Sequence, residues 1–302
     1  MWKKRAVLFV ILAGVCILSG CKEDGRRDIE SALSETTEEK TDSDMIEPEE
    51  ETMGFQEAEN QDDGQEDDGG AGKEDGQSGP ERKGILVALD PGHQGWNVDM
   101  SDVEPNAPGS DIMKTKATAG TSGQYSGTPE FQLNLDIACM VRDRLLEQGY
   151  DVIMTREDNE TAISNAERAV LANDSKADIA IRIHANGSED PGANGALVLI
   201  GSAENPYVGS LYDSSVRLGT AILDAYCAGT GMQNLGIQTN DTMTGINWSQ
   251  IPVVILEMGF MTNEQDDLNM ADANYRIRMA DGIVNGINHY YENTKITDQK
   301  EE

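Results

Sequence analysis

Histidine, cysteine and positive charge are all scarce in this 302-residue chain. Its three histidines are His93, His184 and His289, so any imidazole chemistry must draw on those. Four cysteines, Cys16, Cys21, Cys139 and Cys227, supply neither a disulfide framework nor a zinc-ribbon spacing. Lys and Arg number 23 against 55 Asp and Glu, a formal net charge of −32. That sign excludes a nucleic-acid partner, because phosphate affinity comes from basic side chains displacing counterions. It equally excludes docking by charge on an anionic lipid surface. Ala6 to Leu18 is an apolar run of 13 residues, short of the roughly 20 that a membrane-spanning helix needs. Internal repeats are absent.

What the amino terminus does carry is an address. Lys3-Lys4-Arg5 followed by that apolar run has the charge and length of a secretory signal. Leu18-Ser19-Gly20-Cys21 then resembles the lipobox of bacterial lipoproteins. The resemblance implies that residues 1–20 are a signal peptide and that Cys21 is acylated, anchoring the chain at the outer face of the cytoplasmic membrane. Two or three acyl chains anchor stably where one does not. An ordinary secreted protein with a chance cysteine is the alternative. Residues 22–83 hold 23 acidic and 7 basic residues, and Met45, Ile46, Met53 and Phe55 stand isolated among them. Such a segment cannot bury enough surface to offset its ordering entropy and is expected to be disordered. Residues 21–83 thus read as a lipidated, acidic tether of roughly 45 Å or more. A solubilising tail with no reach requirement fits the same composition.

From Gly84 the pattern changes. Ile85 to Leu89, Tyr150 to Thr155, Ile179 to Ile183, Ala196 to Ile200 and Val253 to Leu256 are short apolar runs. Runs buried on both faces belong to parallel sheets covered by helices. Between them, Thr128-Pro129 predicts a helix start and Gly149 its end, and Ser164 with Glu167 predicts a capping box. Segments near 207–228 and 272–291 also read as helical. The expected fold is an α/β, three-layer, open, mostly parallel sheet of about six strands with helices on both faces. It occupies residues 84–292, followed by a polar tail, 293–302. The segment 93–129 has no period, and long loops in compact domains usually line a site.

Ligands of open α/β sheets bind beyond the carboxyl ends of strands. His93 follows the first strand, His184 ends the third and Glu257 ends the last, while Glu130 enters that region as the second residue of a helix. Two imidazoles and a carboxylate at one rim are the donor set of an open zinc site, and a further carboxylate supplies its general base. Each residue alone has a blander reading. A strand-end histidine is commonly a satisfied polar residue, Glu130 a favourable charge at a helix start, and Glu257 a partner for Arg182 or Arg156. Convergence on one edge is what argues for a site. His289, near the end of the last helix, reads as surface, and Cys139 and Cys227 as helix-borne thiols.

These residues resemble the zinc-dependent N-acetylmuramoyl-L-alanine amidase family, of the large catalytic-domain type. The matching pieces are Leu89-Asp90-Pro91-Gly92-His93, Glu130 with Leu133-Asn134-Leu135, Gly149-Tyr150-Asp151-Val152 leading to Thr155-Arg156, Ile183-His184-Ala185-Asn186, and Pro252 to Phe260 followed by Asn263. The resemblance implies one zinc ion per chain held by His93, Glu130 and His184, with Glu257 as the catalytic carboxylate. It implies peptidoglycan as substrate, cut at the amide between N-acetylmuramic acid and the first L-alanine of the stem peptide. Asp90 and Asn186 are candidates to orient the histidines, although Asp90 also suits the turn. Arg182 stands where the family commonly has a small residue, and is expected to orient Glu257 or meet a substrate carboxylate. The family's second glycine-rich step after the first histidine is replaced by Gln94-Gly95-Trp96. Asn247 and Trp248 are candidate sugar or peptide contacts, with packing as their alternative. A monomer is expected. The competing readings are a non-catalytic wall-binding or regulatory lipoprotein on the same fold and a zinc peptidase acting on stem peptides.

Overall fold

A computed structural model describes residues 80–301, with side chains to 293. The expected signal peptide, Cys21 and nearly all of the acidic tether lie outside the described residues. The fold begins with β1 (Leu86–Pro91), after which the long loop carries a small antiparallel ribbon, β2 (Val103–Pro105) and β3 (Met113–Thr115). There follow α1 (Glu130–Glu147), β4 (Asp151–Met154), α2 (Asn165–Asp174), β5 (Ile179–Asn186) and β6 (Ala196–Ile200). The remainder is α3 (Tyr212–Thr230), β7 (Asn234–Thr239), α4 (Thr244–Asn247), β8 (Val253–Phe260), α5 (Glu264–Ala271) and α6 (Ala273–Glu301).

Six strands form one sheet in the order β4-β1-β5-β8-β6-β7. The first four are mutually parallel, whereas β6 runs antiparallel to β8, and β7 follows β6. Strand alternation divides the apolar runs between two cores. Val87, Leu89, Ile181, Ile183, Val254 and Leu256 face α1, α3 and α6, while Ala88, Ala180, Leu197 and Ile255 face the small side chains of α2 and the turn of α4. This is the expected three-layer α/β sheet. Helices α3 and α6 pack closely because a Cβ on Gly286 would lie 2.4 Å from the Ile222 Cα. Among the described residues no helix is long and apolar enough to cross a membrane.

The local signals held in most places. Ser164 accepts from the Glu167 amide and Glu167 accepts from the Ser164 amide, the expected capping box. Gly149 closes α1 at φ 82°, where a Cβ would run into the Glu81 carbonyl. The start of α1 differs. Pro129, not Thr128, takes the cap position, without a side-chain cap, and Glu130 is the first helical residue. Strand β7 was not foreseen, and α6 continues through the segment expected to be a polar tail.

Candidate metal centre

Strand β1 ends in Pro91, and the chain then turns through Gly92 to His93, whose φ of 65° is left-handed. Strand β5 brings His184 beside Glu257 of β8, the two being partners in the parallel ladder. Helix α1 starts at Glu130 and points that carboxylate at the same spot. Three donor atoms result. His93 Nε2 lies 3.0 Å from Glu130 Oε1, and His184 Nδ1 lies 3.1 Å from His93 Nε2 and 3.2 Å from Glu130 Oε1. A triangle of that size fits a cation held by nitrogen and carboxylate oxygen at about 2.0–2.2 Å.

Electrostatics favour the same reading. Burial alone would raise the Glu130 carboxyl, but His93 and His184 beside it hold it far below the ordinary carboxylate range. Burial pulls His184 down to about 4, so at neutral pH its ring keeps a free lone pair. Burial, reinforced by the charge of Glu130, pushes Glu257 up to about 8. Glu257 Oε2 and His184 Nε2 are buried without a hydrogen-bond partner. Buried polar atoms are normally satisfied, so an unpaired carboxylate oxygen beside three convergent donors marks a place built for something else to bind.

The loop leading into α1 braces this triangle with its backbone. His93 Nδ1 lies 2.9 Å from the Thr118 carbonyl and 3.2 Å from its hydroxyl. The Thr121 amide donates to Glu130 Oε2 at 2.9 Å, while Asn134 Nδ2 and the Ala185 amide reach Oε1 at 3.3 and 3.2 Å. The loop can approach so closely only because residue 120 is glycine: a Cβ there would lie 2.5 Å from Glu130 Oε2. Gly92 is needed likewise, since its Cβ would lie 2.2 Å from the His184 ring.

The remaining candidates are placed differently. Asp90 meets neither histidine. Buried at the end of β1, it accepts from Arg182 Nε at 2.5 Å, Arg168 Nη1 at 2.7 Å and Thr155 Oγ1 at 2.5 Å. Burial opposes its charge, but the Arg182 and Arg168 guanidiniums overcome this and hold its carboxyl far below the usual range. Two guanidiniums compete for it more strongly than an imidazole N–H would, and the expected orienting role passes to Thr118. Arg182 is spent on Asp90 and, at 2.7 Å, on Asn165 Oδ1, so it does not orient Glu257. Arg156 likewise makes no bond to Glu257. Asn186 lines the cleft and accepts from the Gly187 amide. Asn247 is buried, donating to the Asp241 carbonyl and accepting from Asn205. Trp248 donates its indole N–H to the Pro105 carbonyl at 2.9 Å, tying α4 to the ribbon. Both make contacts within the fold, and neither lines the cleft over the triangle. His289 is exposed on α6, and Cys139 and Cys227 are unpaired thiols on α1 and α3.

The cleft over the triangle has a volume of about 280 Å³. Strand ends form its floor, and its walls come from the ribbon and from residues 242–245. Lys114 on β3 lines it, and no ion pair engages its ammonium among the described residues.

Residues 87–289 match the family model described as N-acetylmuramoyl-L-alanine amidase. The chain is similar to the uncharacterized protein YqiI of Bacillus subtilis, 30% identical over 58% of this chain and 82% of that protein. It is also 30% identical to N-acetylmuramoyl-L-alanine amidase LytC of the same organism, over 55% of this chain and 32% of LytC. Among solved structures it resembles the N-acetylmuramyl-L-alanine amidase Ami1 of Mycobacterium smegmatis. That likeness has a TM-score of 0.63 at 29% identity and covers 70% of this chain and 98% of Ami1.

Proposed function

Because the chain belongs to the N-acetylmuramoyl-L-alanine amidase family, whose activity is on peptidoglycan, we propose that it is a zinc hydrolase of the lactyl-to-L-alanine amide. The observation that carries this reading is the unpaired Glu257 carboxylate beside the His93, Glu130 and His184 triangle. His93 Nε2, His184 Nδ1 and Glu130 Oε1 would hold the ion, and the cleft leaves a fourth side open to water and substrate. When bound, zinc supplies Lewis acidity, making water acidic near neutral pH and drawing electrons from a carbonyl oxygen.

The protein's own groups do the proton work. Glu257 takes a proton from the attacking water and returns it to the leaving alanine nitrogen. Burial first, and the Glu130 charge second, raise Glu257, and a cation on Glu130 would remove only the second of these causes. Thr118 accepts from His93 Nδ1–H, which fixes the tautomer that leaves Nε2 free to ligate. Lys114 is the cleft's cation without an ion pair among the described residues, Arg182 being bonded to Asp90 and Asn165, and it suits a carboxylate of the stem peptide.

The acylated Cys21 and the acidic tether would hold the catalytic domain near the wall, which the domain's own negative charge does not favour. The domain would act as a monomer at the outer face of the membrane. Mass spectrometry of purified wall digested by the protein tests the reaction. Free peptides beginning with L-alanine, with glycan strands intact, are expected, and their formation should stop on chelation and resume with zinc. Peptides cut internally with that amide intact would point to a zinc peptidase, and unaltered wall to a binding protein.

A further inference from the structure

Two non-glycine residues have positive φ among the described residues, Lys176 at 59° and His93 at 65°. Lys176 lies in the exposed turn after α2 and needs no further account. His93 is a candidate ligand, and a non-glycine residue in the left-handed region is held there at a cost, which persists only where the surroundings fix that conformation. At this turn a pair of buried guanidiniums grips three successive carbonyls. Arg168 donates to the carbonyls of Pro91 and His93, both at 2.8 Å. Arg156 donates to the carbonyls of Pro91 and Gly92, both at 2.9 Å. The same Arg156 Nη2 reaches the Phe131 carbonyl at 2.7 Å, one residue past Glu130.

We propose that Arg156 and Arg168 are positioning residues that hold His93 in its left-handed turn and fix it against Glu130, so that the ligand triangle exists before the metal arrives. This rests on the zinc reading of the site. Neutralising Asp90 does not explain the pair, because Arg156 makes no bond to Asp90. Its placement is also unfavourable by itself: burial and the neighbouring Arg168 charge pull Arg156 down to about 10. Lysine cannot replace either residue, since a single ammonium does not span carbonyls that a planar fork bridges.

Arg168→Lys and Arg156→Lys preserve charge and remove the fork. Zinc affinity of the stripped, reloaded protein, measured by competition with a chromophoric chelator, should fall by about tenfold or more in each, as for other groups that support metal ligands. A purely structural role would instead lower the melting temperature of the metal-free protein and leave the affinity of the folded fraction at the wild-type value, which would overturn the proposal. Should the variants fail to fold, a crystal structure of the unaltered, metal-stripped protein decides. His93 should keep its positive φ there, and a turn relaxed to negative φ rejects preorganisation. A wild-type protein that binds no zinc removes the zinc reading of the site itself, and this inference with it.

Discussion

The floor and the wall of the cleft are built on different physics. The floor is strand ends with the start of α1 beside them: Asp90, His184 and Glu257 are set by ladder register, His93 and Glu130 stand next to them, and Asp90 is buried and paired with Arg168 and Arg182. The wall is the 36-residue loop from 94 to 129, whose contributions are largely backbone atoms and whose ribbon leaves Val103, Ile112 and Met113 exposed. The floor supplies charge at fixed positions. The wall supplies carbonyls and amides that trim the orientation of those charges, together with one free ammonium. Chemistry should therefore fail abruptly when the floor is altered and shift by degrees when the wall is.

Replacing the two glutamates tests the floor most severely. Glu257→Gln should keep zinc and lose about 10²- to 10⁴-fold in turnover, the usual worth of a general acid–base group. Glu130→Ala should instead lose the metal, as read by elemental analysis of the dialysed protein. Equal metal loss in both would erase the assigned division of labour. The raised Glu257 also sets a pH signature. A carboxyl that binds its proton more tightly when folded stabilises the fold fully below about pH 4.5, and that contribution is lost as pH climbs toward 8. The metal-free protein should thus soften across that window, and Glu257→Gln should flatten the slope.

Asp90→Asn is next in size. It strands Arg168 and Arg182 in the interior, and breaking such a buried pair costs about 3–5 kcal/mol, readable as a lower denaturant midpoint. The depressed pKa of Asp90 gives the opposite pH sense to Glu257. Its contribution is present above its unfolded pKa of about 3.9 and is lost as pH falls below that. The variant should lack that component of acid unfolding. On the wall, Lys114→Gln should raise KM about two- to fivefold with kcat unchanged, the scale of an exposed charge contact, and added salt should shrink the difference. A fall in kcat as large as that of Glu257→Gln would place Lys114 with the floor.

The same division explains what could be read in advance. Strands β1, β5, β6 and β8 announce themselves because burial on both faces demands unbroken apolar runs, and the edge strand β4 still carries Val152, Ile153 and Met154 in succession. Residues at their ends inherit a position from that pattern, which is how His184 and Glu257 become visible. Strand β7 is an edge, with Asn234, Gly236, Gln238 and Thr239 among its six residues, and nothing in its composition separates it from a loop. Thr118 is invisible for another reason: the carbonyl that meets His93 is one every residue has, and only the fold selects it. Arg156 and Arg168 stand 65 and 75 residues from the carbonyls of Pro91 and His93 that they grip, so no local spacing links them. Asp90 misleads because proximity in sequence to His93 suggests a contact that two distant arginines pre-empt.

The pairing of β5 with β8 slips by one residue between His184 and Asn186, immediately past the rung that joins His184 to Glu257. A one-residue slip before that rung would swing every β8 side chain to the opposite surface and deliver Leu256 or Met258 to the place that Glu257 holds beside the triangle. Beyond it, the bulge breaks the strict beat of the ladder, and the Met261 carbonyl in the turn after Phe260 accepts from the Gln124 amide, which ties that turn to the loop leading into α1. The rung that joins His184 to Glu257 is thus held on both sides, by strict register before it and by this brace after it.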